Sequence, residues 1–439
     1  MRKYLNLILL LGCSTFVLGQ DFSPILQKAW ANNEQLKSKT FNLKMAEIAL
    51  KEAKALYGPT AQFNTQYTLA VGGRSISLPV GDLMNPVYST LNKLTNSNSF
   101  PQIENVKEQF LPNNFYDAKF RVSQPIYYPE LALNKKLKAE SIELKSLEIK
   151  AYKRWLAKEI MQSYFQVTKA KEAIKIFENS DSLLMEARRT TQSMVKNGVA
   201  LPSALNRIES QMASIDALKI EANTNFSNAK KYLFFLEGVP ESATIESVQM
   251  SDLPSLDTAD IEKKEEILQL EKAISLQNLA IDKEKLFYKP KLGAQLDFGS
   301  QAYNFGWSPY ALLGINLEIN LFDNNRNKWR KEQAELNVQS TQSQLTYVKT
   351  QFDLVKNISY DNLVSAVKQA NTFQPRIAAS KRLYQDVLKK YKEGTSNYLE
   401  LMDAHTQITQ NELQFSIAKS TAWEKWAEYI YNSAKLKID

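Results

Sequence analysis

The sequence predicts a mixed α/β membrane protein built from two duplicated halves. Four strands from each of several chains would close a transmembrane β-barrel, twelve-stranded in a trimer, and the long helices would pack as coiled coils. Three observations predict it: short stretches of strict odd-even alternation, much longer stretches of helical period, and an internal repeat of nearly two hundred residues.

The first residues, MRKYLNLILLLGCSTFVLGQ, place Arg2 and Lys3 before an apolar run and small residues ending at Gly19. That pattern is a secretory signal over residues 1–19. Cys13, the single cysteine among 439 residues, follows Leu10, Leu11 and Gly12 in the manner of a lipoprotein cleavage box. It is expected either to carry lipid or to leave with the signal, so a disulfide framework is excluded by count. Beyond the signal, no run of about 18 apolar residues exists, and any membrane span must be made of strands. The net charge of +8 is dispersed among acids along helical segments such as KKLKAESIELKSLEIKAYKR, which reads as solvated faces and excludes a nucleic-acid patch.

The repeat shows in three pairs of segments. EAKALYGPTAQFNTQ and DKEKLFYKPKLGAQLD align Tyr57 with Tyr288. QPIYYPELALNKKLKAE and INLFDNNRNKWRKEQAE align Tyr127 with Phe322, and VKNGVALPSALNRIESQ and YKEGTSNYLELMDAHTQ align Gly198 with Gly394. The offset falls from 231 to 195 and 196, so about 36 extra residues lie between the first two strands, in a segment rich in Asn, Ser, Gly and Pro. The halves are residues 20–237 and 261–439, joined by a linker over 238–260 that carries Pro240 and Pro254.

Each half reads helix, strand, strand, long helix, helix. A long outer loop, with room for a short helix, spans about 71–114 between the first two strands; the second pair covers about 291–300 and 310–321. Long helices are expected from about Glu130 to Lys196 and from Arg326 to Glu393. Apolar residues in the latter recur at three and four, as in Leu345, Val348, Phe352, Val355 and Ile358, which predicts coiled-coil packing, with a kink at Pro375.

In the first strand Ala61, Phe63, Thr65, Tyr67 and Leu69 oppose Gln62, Asn64 and Gln66. In the others Tyr116, Ala118, Phe120 and Val122 oppose Asp117, Lys119 and Arg121; Leu292, Ala294, Leu296 and Phe298 oppose Gln295 and Asp297; and Leu313, Ile315 and Leu317 oppose Asn316 and Glu318. A basic residue on the lipid face at mid-bilayer costs about 2–4 kcal/mol, so the charged set must line water and the aliphatic set must meet lipid. Tyr57, Tyr127, Tyr128, Tyr288, Phe322 and Trp329 at one end, with Tyr303, Trp307 and Tyr310 at the other, suit interfacial belts. Four strands leave open edges, which lipid does not tolerate. Two copies would give a filled eight-stranded barrel and three a barrel with room for water, so a conducting barrel favours a homotrimer.

The joints AWANNEQLKSKTFNLKMAEIALKEAKALYGP, QPIYYPE and NLFDNNR, with the glycine turns KNGVALPSALNRIESQ and KEGTSNYLELMDAHTQ, resemble the TolC family of outer-membrane efflux and secretion channels over nearly the whole chain. The resemblance implies a passive trimeric exit duct in the outer membrane with its helical tunnel in the periplasm. Its partners would be a periplasmic adaptor and an inner-membrane pump, in a tripartite efflux pump or type I secretion system. The linker would lie in an equatorial region. Gly198, Tyr391, Gly394, Thr395 and Ser396 would form the periplasmic tip that meets the adaptor, and Glu400 and Asp403 would ring a pore constriction. Ser396 stands where some members have arginine, and Ala204 where the first turn can carry an acid, so a salt-bridge lock of that design is not expected.

Nothing points to an enzyme. The lone His405 reads as a helix-surface or packing residue, and Glu265 and Glu266, in the run IEKKEEI, read as solvated. No metal or cofactor is expected. A non-conducting trimeric coiled coil with a β head, structural or adhesive, is the competing reading.

Overall fold

The computed structural model describes residues 22–248, 250–256 and 263–436. The signal segment, Cys13, residue 249 and the end of the linker, 257–260, therefore lie outside the described residues. In chain order the elements are α1 (Ser23–Asn32), α2 (Glu34–Ala55), β1 (Thr60–Thr68), β2 (Ser75–Leu78), α3 (Val80–Thr95), β3 (Val106–Gln109), β4 (Phe115–Tyr127), α4 (Pro129–Lys196) and α5 (Pro202–Glu237). They continue with α6 (Glu265–Lys285), β5 (Lys291–Tyr303), β6 (Pro309–Glu318), α7 (Arg326–Asn371), α8 (Phe373–Lys392) and α9 (Tyr398–Asn432). Two compact units result: one of residues 46–140 and 276–337, the other of the described residues within 22–45, 141–275 and 338–436.

The first of these holds a four-stranded antiparallel sheet in the order β1-β4-β5-β6 and a two-stranded sheet of β2 and β3. The main strands are 9 to 13 residues long, the length that crosses a bilayer when tilted. Among the described residues β1 and β6 each pair on one side only, so both edges are open.

The ends of the sheet are shaped by residues that tolerate unusual backbone. Asn324 and Asn325 take positive φ between β6 and α7, which explains NLFDNNR: asparagine enters the left-handed region more readily than other side chains. Asp323 then caps α7, accepting from the Asn327 N–H at 2.8 Å, and Asn327 Nδ2 donates to the Glu284 carbonyl at 2.9 Å. At the far turn Asn304 and Phe305 also have positive φ, and the Phe305 ring stacks on Tyr67 with centroids 5.1 Å apart.

The extra residues of the first half are more ordered than their composition suggests. They form a helix of 16 residues between two short strands, β2 and β3, that pair antiparallel, where a long loop with room for a short helix was expected.

The helical unit has its core where α1, α4, α5 and α9 meet, around Phe22, Ile25, Leu26, Leu156, Ile160, Phe165, Leu233 and Trp423. A second cluster joins α4, α5, α8 and α9 through Phe177, Leu184, Ile208, Tyr384, Tyr391 and Leu401. The described part of the linker forms neither helix nor strand; Ile245, Val248 and Met250 pack on the first cluster, and the Val248 N–H donates to the Tyr164 hydroxyl at 2.8 Å.

Two expectations need correction. The break in the last long helix falls at Thr372, three residues before Pro375. A proline ring collides with the carbonyl four residues earlier, here that of Asn371, so the interruption precedes the proline. Glu265 is also not solvated: it is buried in α6 against α4, where the Arg154 guanidinium donates to its carboxylate from Nε at 2.9 Å and Nη2 at 2.7 Å. Arg154 Nη1 reaches the Leu436 carbonyl at 2.7 Å.

Candidate functional site

The sheet has two unlike faces. The register opposes Gln62 to Arg121, Asn64 to Lys119 and Gln66 to Asp117. It continues with Arg121 opposite Asp297, Gly293 opposite Asn316 and Lys291 opposite Glu318. Directly opposed residues of an antiparallel pair share a face. All ten strand residues singled out for the lumen, Gln62, Asn64, Gln66, Asp117, Lys119, Arg121, Gln295, Asp297, Asn316 and Glu318, therefore stand on one face.

That face carries two hydrogen-bonded polar clusters. Arg121 grips Asp297 with two hydrogen bonds, 2.9 Å from Nε and 2.8 Å from Nη2, and Gln295 donates to the same carboxylate at 3.0 Å. Lys119 donates to Asp117 at 2.5 Å, and the Tyr310 hydroxyl reaches Asp117 at 2.9 Å. Tyr310 thus belongs to the polar face, which corrects its assignment to an interfacial belt. The reason is parity: it sits opposite Gly299, two residues from Asp297.

The other face carries Phe63, Phe120, Phe298, Leu313, Ile315 and Leu317, all exposed, with Leu313 at 72% and Ile315 at 71%. A charged face with satisfied partners beside an exposed aliphatic face is the inverse of a soluble sheet on a core.

The helical turns form the second candidate site. Gly198 and Gly394 have φ of +75° and +74°, and no atom lies near the position of an added Cβ, so backbone conformation alone selects glycine. After each glycine the chain closes back on its helix: Val199 N–H donates to the Met194 carbonyl at 2.8 Å and Thr395 N–H to the Lys390 carbonyl at 2.9 Å. Gly198, Gly394 and Thr395 are exposed and Ser396 is half-buried. Tyr391 departs from the expected contact set: it is buried, and its hydroxyl shares a 2.7 Å hydrogen bond with Thr191 on α4. In this chain it fastens α8 to α4 instead of offering a surface.

Glu400 and Asp403 are both exposed on α9. Glu400 has a local role as well. Asn397 caps α9 by accepting from the Glu400 N–H at 3.0 Å, while the Glu400 carboxylate accepts from Ser396 Oγ at 2.5 Å. The spacing N-x-x-E in NYLE is a capping-box pattern that makes this arrangement legible in the sequence.

His405 lies one turn further along and is buried. Its Nε2 is 2.9 Å from Ser180 Oγ and 3.1 Å from the Ser180 carbonyl, while Nδ1 has no partner. Desolvation lowers its pKa, opposed in part by the Ser180 backbone contact. It is a packing residue. Among the described residues no cluster of His, Cys, Asp or Glu is arranged to hold a metal, and no helix is long and apolar enough to cross a membrane.

The fold is shared with solved outer-membrane channels. Residues 263–427 match the family described as Outer membrane efflux protein, so the recognition made from the joints and glycine turns is borne out. Among solved structures the chain resembles the Campylobacter jejuni CmeC outer membrane channel, with TM-score 0.72 and 14% identity, covering 93% of this chain and 84% of that one. It resembles the outer membrane protein VceC of Vibrio cholerae, with TM-score 0.70, 12% identity and coverages of 93% and 95%. The open state of the Neisseria gonorrhoeae MtrE outer membrane channel matches at TM-score 0.70 and 15% identity, with coverages of 93% and 88%. No curated protein matches the chain by sequence.

Proposed function

We propose that this chain is the outer-membrane exit duct of a tripartite efflux pump or type I secretion system. Three copies form a passive channel, with twelve strands in the outer membrane and a helical tunnel in the periplasm, opened by a periplasmic adaptor and an inner-membrane transporter. The sheet carries the reading. Three successive antiparallel pairings make β1 and β6 antiparallel to each other, so the β6 edge of one copy is suited to pair with β1 of the next. Repetition around a closing rotation turns an open sheet into a barrel, with the aliphatic face toward lipid and the Arg121–Asp297 face toward water.

Glu400 and Asp403, three residues apart on one helix face, are our candidates for a carboxylate ring near the glycine turns. Purified protein in planar bilayers is expected to conduct with a preference for cations, weakened by replacing both acids with alanine. Unchanged selectivity would remove them from the constriction. A trimer that never conducts would favour a structural or adhesive role over a channel.

A further inference from the structure

The insert between β1 and β4 contains a helix whose polar side is already occupied by its own chain. Asn85 Nδ2 donates to the Ile103 carbonyl at 2.9 Å while its Oδ1 accepts from the Ile103 N–H at 2.9 Å. Asn92 repeats the exchange with Phe100, at 2.7 and 3.1 Å. Gln102 donates to Ser89 Oγ at 3.1 Å, and Asn105 donates to Asp82 at 2.9 Å. Gly81 lets the returning chain come close, because a Cβ there would collide with the Ile103 carbonyl. Asp82, Asn85, Ser89 and Asn92 thus form a polar seam zipped to residues 100–105.

The apolar seam has no such cover. Val80, Leu83, Met84, Val87 and Leu94 are exposed, with Leu83 at 69% and Leu94 at 77%, and Leu91 is half-buried. Val80, Met84, Val87, Leu91 and Leu94 are spaced four, three, four and three apart, the alternation of a coiled-coil seam. A helix lying on lipid instead has a wide apolar face and a strongly charged polar one. α3 carries one acid and one base, and its polar side is sealed.

We propose that the apolar seam of α3 packs against α3 of the neighbouring copies, forming a helical cap over the outer mouth of the barrel. The inference rests on the trimeric reading above. The insert leaves from the end of β1, an open edge of the sheet, so each α3 begins at the boundary where the next copy would join. A seam of two heptads is too short to associate freely, but tethering around a ring raises its effective concentration.

The test is thiol cross-linking in isolated outer membranes with a short bismaleimide, using Val87→Cys and Leu94→Cys with Lys93→Cys as the control on the helix flank. Both seam variants are expected to give covalently linked chains, with about tenfold less product from Lys93→Cys and from the parent chain, a contrast set by the close approach of seam positions. In addition, Val87→Asn with Leu94→Asn should admit a large antibiotic that the parent excludes. An unboiled trimer without seam cross-links would overturn the cap while leaving the channel standing, as would labelling of Val87→Cys by a reagent confined to the lipid phase. Loss of any trimer in the parent would overturn the reading beneath it.

Discussion

Replacing Leu313 with arginine and, separately, Gln295 with arginine sets one strand face against the other. The two positions lie on adjacent strands: Leu313 opposes Leu296 on the aliphatic face, and Gln295 opposes Gly314 on the polar face. Leu313 is near the middle of β6, where arginine facing hydrocarbon costs about 2–4 kcal/mol, so a ring of three chains would lose about 6–12 kcal/mol. Arginine at 295 would stand beside Asp297, which already accepts from Gln295, and its cost should be close to zero. The assay is the yield of unboiled trimer in outer-membrane fractions. Leu313→Arg should abolish it and Gln295→Arg should leave it near the parent level. Normal assembly of Leu313→Arg with failure of Gln295→Arg would refute the assignment of faces.

Arg154→Met should destabilise the folded protein by about 3–5 kcal/mol, since it strands the buried Glu265 carboxylate, whereas Arg154→Met with Glu265→Leu should recover most of the loss. Denaturant unfolding in detergent checks this, and simple additivity would refute the coupling. Gly394→Ala should cost about 1–2 kcal/mol through left-handed backbone strain alone, because the space around it is open; an unchanged midpoint would show that the turn relaxes. His405 has a folded-state pKa below the ordinary 6.5, so the unfolded chain binds the extra proton. Its stabilising contribution is therefore complete above 6.5 and declines as the pH falls from there toward the folded pKa. His405→Gln should flatten that part of the melting-temperature profile, and an unaltered slope would assign it to other groups.

The strand faces were legible because parity along an extended chain is a local property: alternation in FYDAKFRVS already separates Lys119 and Arg121 from Phe120 and Val122. Tyr310 was misread because its aromatic character suggested a belt while its parity put it beside Asp117. Pairings across long separations left no trace. Arg154 and Glu265 are 111 residues apart, and a run of charges looks solvated until the helix that buries it is known. The asparagines of the insert were read as loop residues for the same reason. Their amides act as backbone substitutes, which is visible only once the returning segment lies along α3. The glycine turns were legible in position, since a positive φ has few solutions, but the inward turn of Tyr391 depends on Thr191 of another helix.

If the chain assembles as the proposed trimer, its two open sheet edges also have a genetic consequence. In a ring where each chain offers β6 to one neighbour and β1 to the other, a chain able to use only one edge still joins but cannot close the circle. If half the chains in a cell are of that kind and incorporation is random, only about one eighth of three-membered rings consist wholly of competent chains. A lesion confined to one outer strand would therefore be dominant over the intact gene, whereas a lesion that prevents folding altogether would be recessive.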